Sequence, residues 1–183
     1  MFRKILKFGL YTLLAYLCQA TLARPMAVGG VAPNPALAML AVVTVALGRK
    51  YAFFGSTLVG YLLEIMQPAL DYISLVLYPV STMLPALFLA DRSERVNEER
   101  RTQGRRTTQL NPHLRTPLCA FFSTALYEFV HLLYIYLTGV PFDVPHAVRA
   151  FLSAVYTALI AAVIQFPVRR IFGLYRRNEE EEE

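Results

Sequence analysis

The chain has 183 residues, 56% of them hydrophobic, and its mean hydropathy of +0.42 excludes an ordinary soluble domain, whose apolar share is roughly 45–50%. The formal charge of +5 is spread between apolar runs rather than gathered in one patch, so nucleic acid is not an expected partner. A membrane span needs about 20 apolar residues, so this length accommodates six spans and leaves no room for a separate soluble domain.

The first 23 residues have a basic start, an apolar stretch and a small-residue end, as a secretory signal does. We interpret them as an uncleaved first span, because the apolar run is long for a signal and further apolar segments follow. The two cysteines, Cys18 and Cys119, both fall inside apolar segments. We expect them to be small buried side chains rather than a disulfide or metal ligands.

Apolar runs between charges and Pro or Gly residues predict an all-α integral membrane protein, a compact bundle of six transmembrane helices. Two of the spans are short and are predicted to join tightly through Gly48, Arg49 and Lys50, and Pro79 and Pro85 are predicted to kink or locally break the fourth span. The predicted spans are residues 5–23, 33–47, 51–66, 72–90, 117–137 and 147–168.

The positions of Lys and Arg predict the orientation, because cytoplasmic loops carry an excess of both. Sixteen of the 18 lie on one side of the predicted spans, and only Arg24 and Arg149 lie on the other. Both termini are therefore predicted to be cytoplasmic.

Two hydrophilic segments flank the spans on that side. Residues 91–116 are predicted to form a basic cytoplasmic loop. One interpretation is a docking surface that binds a cytoplasmic partner or anionic lipid headgroups; the other is a solvated segment that only orients the protein. The fourth helix could continue into its first dozen residues. Residues 176–183 form an acidic tail, which we expect to be disordered.

Small side chains four residues apart allow close helix packing in lipid. Such ladders are candidate helix-packing faces in the third and sixth spans, and Ala120 and Thr124 lead to Glu128 in the fifth. The ladder of the sixth span is predicted to meet either a partner or the chain's own bundle. The residues of the two candidate faces are Ala52, Ser56, Gly60, Ala150, Ala154, Ala158 and Ala162.

Three ionisable residues lie inside predicted spans, where they cost a few kcal/mol and usually face protein or water. Glu64, Glu128 and His131 are predicted to form an intramembrane polar cluster with tyrosines such as Tyr61 and Tyr127. A Glu-x-x-His pair can ligate metal when other helices add carboxylates, but only one such motif is present, so neither a metal nor another cofactor is expected. No phosphate loop or nucleophile–base pair is evident, and we expect no enzyme.

Residues 33–92 resemble the rod shape-determining protein MreD family. The similar features are Pro33 and Asn34 at the start of the second span, a short basic turn, and a Gly-containing third span that ends in Leu62, Leu63 and Glu64. A polar outer turn then precedes the fourth span. The arginine-rich loop, Glu64 in place of an Asp, and the polyglutamate tail depart from the family pattern.

This resemblance implies a non-enzymatic scaffold of the cell-elongation (rod) complex in a bacterial cytoplasmic membrane, acting on cell shape and peptidoglycan synthesis. Its implied partners are a single-span MreC-like protein, MreB filaments, and a RodA-type synthase with its transpeptidase. Small helical folds of this kind also resemble the substrate-binding subunits of energy-coupling-factor vitamin transporters. That alternative predicts a closed polar cavity and a tightly bound small molecule.

Overall fold

The structure is a computed structural model that describes residues 2–66, 73–89, 111–139, 141 and 143–172. Its regular elements there are six helices, so the prediction of an all-helical chain is confirmed. Residues 91–110 of the basic loop and the whole acidic tail, residues 176–183, lie outside the described residues. The predicted extension of the fourth helix lies there too. The helices are α1 (Phe2–Leu22), α2 (Pro35–Leu47), α3 (Arg49–Met66), α4 (Ile73–Leu89), α5 (Pro112–Leu137) and α6 (Val144–Phe172).

Helix α2 lies at the centre of the bundle and contacts all five other helices. Its sequence, PALAMLAVVTVAL, is apolar on almost every side, and a helix of this kind lies either in a protein core or against lipid. All residues from Pro35 to Val45 are buried, so α2 belongs to the core of this bundle. At 1.5 Å per residue, the 13 residues of α2 extend over roughly 20 Å.

The other helices surround α2 in the order α1, α3, α4, α5, α6. Helices α3 and α4 form one antiparallel pair, and α5 and α6 form a second that packs against the first through α4 and α5. The outer faces of α1 and α6 carry exposed large apolar side chains, as lipid-facing surfaces do. These include Ile5, Leu6, Leu10, Leu13, Leu14 and Leu17 on α1 and Val148, Phe151, Leu159, Val163 and Phe166 on α6.

Glycine allows the closest approach within the α3–α4 pair. A Cβ atom built on Gly60 would lie 2.6 Å from the carbonyl oxygen of Ser74 and 3.2 Å from the Cα of Leu75. Ala52 and Ser56, which precede Gly60 on the same stripe, are also buried. This candidate packing face of α3 therefore lies inside the chain's own bundle.

Polar side chains cap α4 and α5 at the end of the bundle where α2 ends. Arg49 donates to the carbonyls of Ala86 and Leu87, at 3.2 and 2.8 Å, in the last turn of α4. A cation is favourable there because the last carbonyls of a helix carry partial negative charge.

The fourth span is not broken at its prolines. Both Pro79 and Pro85 lie within α4, which is one continuous helix.

Helix α5 begins at Pro112 rather than near residue 117, where the apolar run begins. The carboxamide of Asn111 accepts a hydrogen bond from the backbone N–H of His113 at 3.1 Å, and proline is favoured at the first helical position. Arg115 is therefore helical and only 5% exposed, although it falls within the predicted basic cytoplasmic loop.

By length and composition, three of the helices in the described part of the chain are able to cross a membrane: residues Ile5–Leu22 of α1, His113–Leu137 of α5 and Val144–Arg170 of α6. Helices α2 and α4 are apolar but shorter. The chain is therefore a helical membrane protein.

Candidate functional site

A network of polar side chains surrounds the N-terminal end of α2. Asn34 caps this helix, because its Oδ1 accepts a hydrogen bond from the N–H of Leu37 at 3.0 Å. Its own backbone N–H donates to Oγ1 of Thr157 on α6 at 2.9 Å, and its Nδ2 lies 3.3 Å from the hydroxyl of Tyr78 on α4. One residue thus fixes the end of the central helix to two surrounding helices. We call Asn34, Tyr78, Glu128, Ser153 and Thr157 the α2 cap network.

Ser153 connects Glu128 of α5 to this network. Thr157 donates to the carbonyl of Ser153 at 2.8 Å, so the threonine hydroxyl uses both its donor and one acceptor site. The hydroxyl of Ser153 lies 2.8 Å from the carbonyl oxygen of Ala32 and 3.1 Å from Oε1 of Glu128. A hydroxyl has a single hydrogen, so Ser153 donates fully to only one of these two acceptors at a time.

An aromatic group adjoins the network on its α5 side. The rings of Tyr78 and Tyr127 meet edge to face with centroids 5.2 Å apart, and Tyr127 stacks on His131 with centroids 6.1 Å apart. Tyr127 also lies within electrostatic range of both Glu64 and Glu128. Tyr127 therefore contacts His131 and lies near Glu64 and Glu128, the other two ionisable residues that the sequence singled out.

Glu64 has a local structural task. Its Oε2 accepts a hydrogen bond from the backbone N–H of Ser74 at 3.0 Å, in the first turn of α4. The first N–H groups of a helix lack intrahelical partners and carry partial positive charge, so a carboxylate is stabilising at this point. Glu64 lies one turn beyond Gly60, the residue that allows α3 and α4 to approach this closely.

Glu64, Glu128 and His131 are each half-buried, and each makes a contact within the protein. In the described residues, no group of three His, Cys, Asp or Glu side chains is placed to hold a metal ion.

The residues that connect these groups were not predictable from the sequence as parts of a site; they are Asn34, Tyr78, Ser153 and Thr157. The pair Asn34–Pro35 carried a usable signal, because Asn at the cap and Pro at the first helical position mark a helix start. Nothing local identifies Thr157, which is 123 positions away in sequence.

A lateral groove runs along the outside of the α5–α6 pair, beside the network. It has a volume of about 580 Å³ and is open at the protein surface, where Phe129 and Phe151 are 63% and 59% exposed. Among the described residues that line it, Glu128 is the only carboxylate. The lining is Ala125, Glu128, Phe129, Leu132, Leu133, Tyr136, Ala147, Ala150 and Phe151.

The small-residue ladder of α6 is divided between this groove and the interior. Ala150 lines the groove, whereas Ala154 is fully buried within the bundle. Ala158 and Ala162 are half-buried. A partner helix on this side can therefore reach Ala150 but not Ala154.

Comparisons of the chain with protein-family models, with curated proteins and with solved structures give no match.

Proposed function

We propose that this protein is a non-enzymatic scaffold of the bacterial cell-elongation complex, of the MreD kind, and that it works by lateral helix packing with a single-span MreC-like partner. Through that partner it serves the MreB filaments and a RodA-type synthase with its transpeptidase. The resemblance over residues 33–92 supports the family, and the lateral groove supports the mode of action.

The lateral groove is the observation that carries this proposal. Lipid competes with any apolar surface, so helices associate in membranes where small residues let backbones approach closely. Ala147 and Ala150, three apart on α6, supply such positions, and Phe129 and Phe151 form exposed apolar walls. The α5 lining from Ala125 to Tyr136 is roughly 16 Å long, or about three turns of a partner helix.

The proposal includes six spans in a bacterial cytoplasmic membrane, with both termini in the cytoplasm. Sixteen of the 18 Lys and Arg residues fall on one side of such a topology. Arg49, Arg115 and Arg169 support it further, because they lie at one end of the bundle: Arg169 donates to Thr116, next to Arg115, at 3.2 Å, and Arg49 binds the end of α4.

The volume of the groove is also within the range of roughly 300–1,000 Å³ that small-molecule sites occupy, which is the feature that favours a vitamin-binding subunit. Such a site, however, encloses its ligand and places several polar groups around it. This groove opens sideways, and its described lining is largely apolar, with Glu128 as its one carboxylate. The scaffold function is therefore the better fit.

Copurification from native membranes tests the proposal. We expect the tagged chain to retain a single-span protein with an extracytoplasmic domain, identified by mass spectrometry, and Ala150→Leu to reduce its amount by filling the groove. Val163→Leu is the matched control, because Val163 is 71% exposed on α6 and does not line the groove. Retention of a vitamin-sized molecule instead of a single-span protein would favour the transporter subunit.

A further inference from the structure

We propose that the lateral groove recognises its partner helix through a hydrogen-bond donor, an Asn, Ser or Lys side chain, that binds Glu128 within the membrane. This inference rests on the proposed scaffold function and specifies the chemistry of the partner. The occupant is one transmembrane helix, apolar and small-sided along the groove, with a single polar residue at the level of Glu128.

Glu128 offers the groove an unused acceptor. Its Oε1 lies 3.1 Å from the hydroxyl of Ser153, which it shares with the carbonyl oxygen of Ala32, and no described residue donates to Oε2. The residue lies nine positions before the end of α5 at Leu137, which places it roughly 13 Å along the helix from that end. A carboxyl group at such a depth is costly unless a polar partner or water satisfies it.

The surroundings of Glu128 define what can supply that donor. The neighbouring lining residues, Phe129, Leu132 and Phe151, offer no hydrogen-bonding side chain, and Ala125 and Ala150 leave room for an incoming backbone. A lipid acyl chain fills an apolar groove but has no donor for Oε2. A helix with one polar side chain satisfies both the apolar walls and the carboxyl group.

The test uses two model transmembrane peptides of alternating Leu and Ala with Lys at both ends, which differ only at one central position, Asn or Leu. Each carries a cysteine near one end. The full-length chain, with Cys18→Ala, Cys119→Ala and a reporter Tyr136→Cys at the groove rim, is reconstituted with each peptide in phosphatidylcholine vesicles. Disulfide formation between chain and peptide is then measured.

We expect the Asn peptide to cross-link about three- to tenfold more than the Leu peptide, a ratio set by one interhelical hydrogen bond in a membrane. Glu128→Leu should remove the difference, and Glu128→Gln should keep most of it, because the amide still accepts a hydrogen bond. His131→Leu is the matched control: it removes an ionisable side chain from the same helix outside the groove lining.

Several results would overturn the inference. The first is equal cross-linking of the Asn and Leu peptides. The second is cross-linking at Tyr136→Cys no greater than at a distant Leu10→Cys reporter on α1, which is the result expected if lipid alone fills the groove. The third is disulfide formation mainly between two copies of the chain. The Asn-to-Leu peptide ratio on the chain with Glu128 intact decides the matter even if a Glu128 variant does not fold.

Copurification separates this inference from the proposed function. A single-span partner that is retained equally by wild type and by folded Glu128→Leu refutes the Glu128 contact and leaves the scaffold function in place. Preferential binding of the Asn peptide without any single-span protein in native membranes refutes the scaffold function and retains the recognition chemistry.

Discussion

Replacing Gly60 by Ala should destabilise the bundle through a backbone clash between α3 and α4. The new Cβ would lie 2.6 Å from the carbonyl oxygen of Ser74, whereas ordinary contacts begin at 3.4 Å, so the two backbones must separate by about 0.8 Å. Such overpacking costs about 1–3 kcal/mol. The separation also stretches the 3.0 Å hydrogen bond between Glu64 and the N–H of Ser74.

The helix preference of Ala over Gly offsets about 0.5–1 kcal/mol of this cost. We therefore expect a net loss of about 1 kcal/mol, and at most about 2.5 kcal/mol, in the free energy of unfolding; 1 kcal/mol is roughly a fivefold change in the ratio of folded to unfolded protein. Gly55→Ala is the matched control on the same helix. Its Cβ would meet only the side-chain ends of Leu40 and Phe8, both at 3.2 Å, and side-chain ends shift more readily than a backbone.

Cys119 provides the assay, because its side chain is fully buried in the folded protein. In a Cys18→Ala background, a thiol-reactive fluorescent dye should label Cys119 only as the bundle opens during an SDS titration or on heating in detergent. Gly60→Ala should label at a lower SDS concentration than the parent, and Gly55→Ala close to it. Equal stability of both variants would refute a rigid α3–α4 contact at Gly60.

Three other predictions follow from the packing and the charges. Thr157→Val should lower the free energy of unfolding by about 1–3 kcal/mol, because the buried N–H of Asn34 loses its acceptor, and Thr157→Ser should lower it clearly less. The same dye assay measures both variants, and equal losses would contradict the role of the hydroxyl. Ala154→Leu should lower stability by about 1–3 kcal/mol through overpacking, and an unchanged unfolding midpoint would place this residue outside the core. In sealed vesicles of a cysteine-free variant, cysteines at Arg100 and Asp143 should label from opposite sides, and labelling of both from one side would overturn the proposed topology.

The helices were predictable because apolar runs and their polar boundaries are local properties. The start of α5 was placed late for the same reason: hydropathy marks the first apolar turn, whereas Asn111 and Pro112 begin the helix one polar turn earlier. The capping pattern overrides hydropathy at this boundary. The apolar sequence of α2 is compatible with a central or a lipid-facing position, so neither its central place nor the helices that surround it could be read from the sequence.

The site was predictable only in part, because its contacts join distant segments. Glu128 and Glu64 stand out as carboxylates within apolar runs. The hydroxyl that accepts from the N–H of Asn34 is 123 positions away in sequence, and the contact between Ser153 and Glu128 joins α6 to α5. Ala150 and Ala154 belong to one ladder, yet the position of α5 leaves the first in a groove and buries the second.

The central place of α2 also affects how the bundle assembles during synthesis. The ribosome completes α2 well before α5 and α6, although both help to bury it and Thr157 of α6 holds its capping residue. Until α6 follows, the N–H of Asn34 lacks its native acceptor and part of α2 faces lipid or other proteins. A chain cut short before α6 would therefore lose the closure of its core, and not merely a helix at its edge.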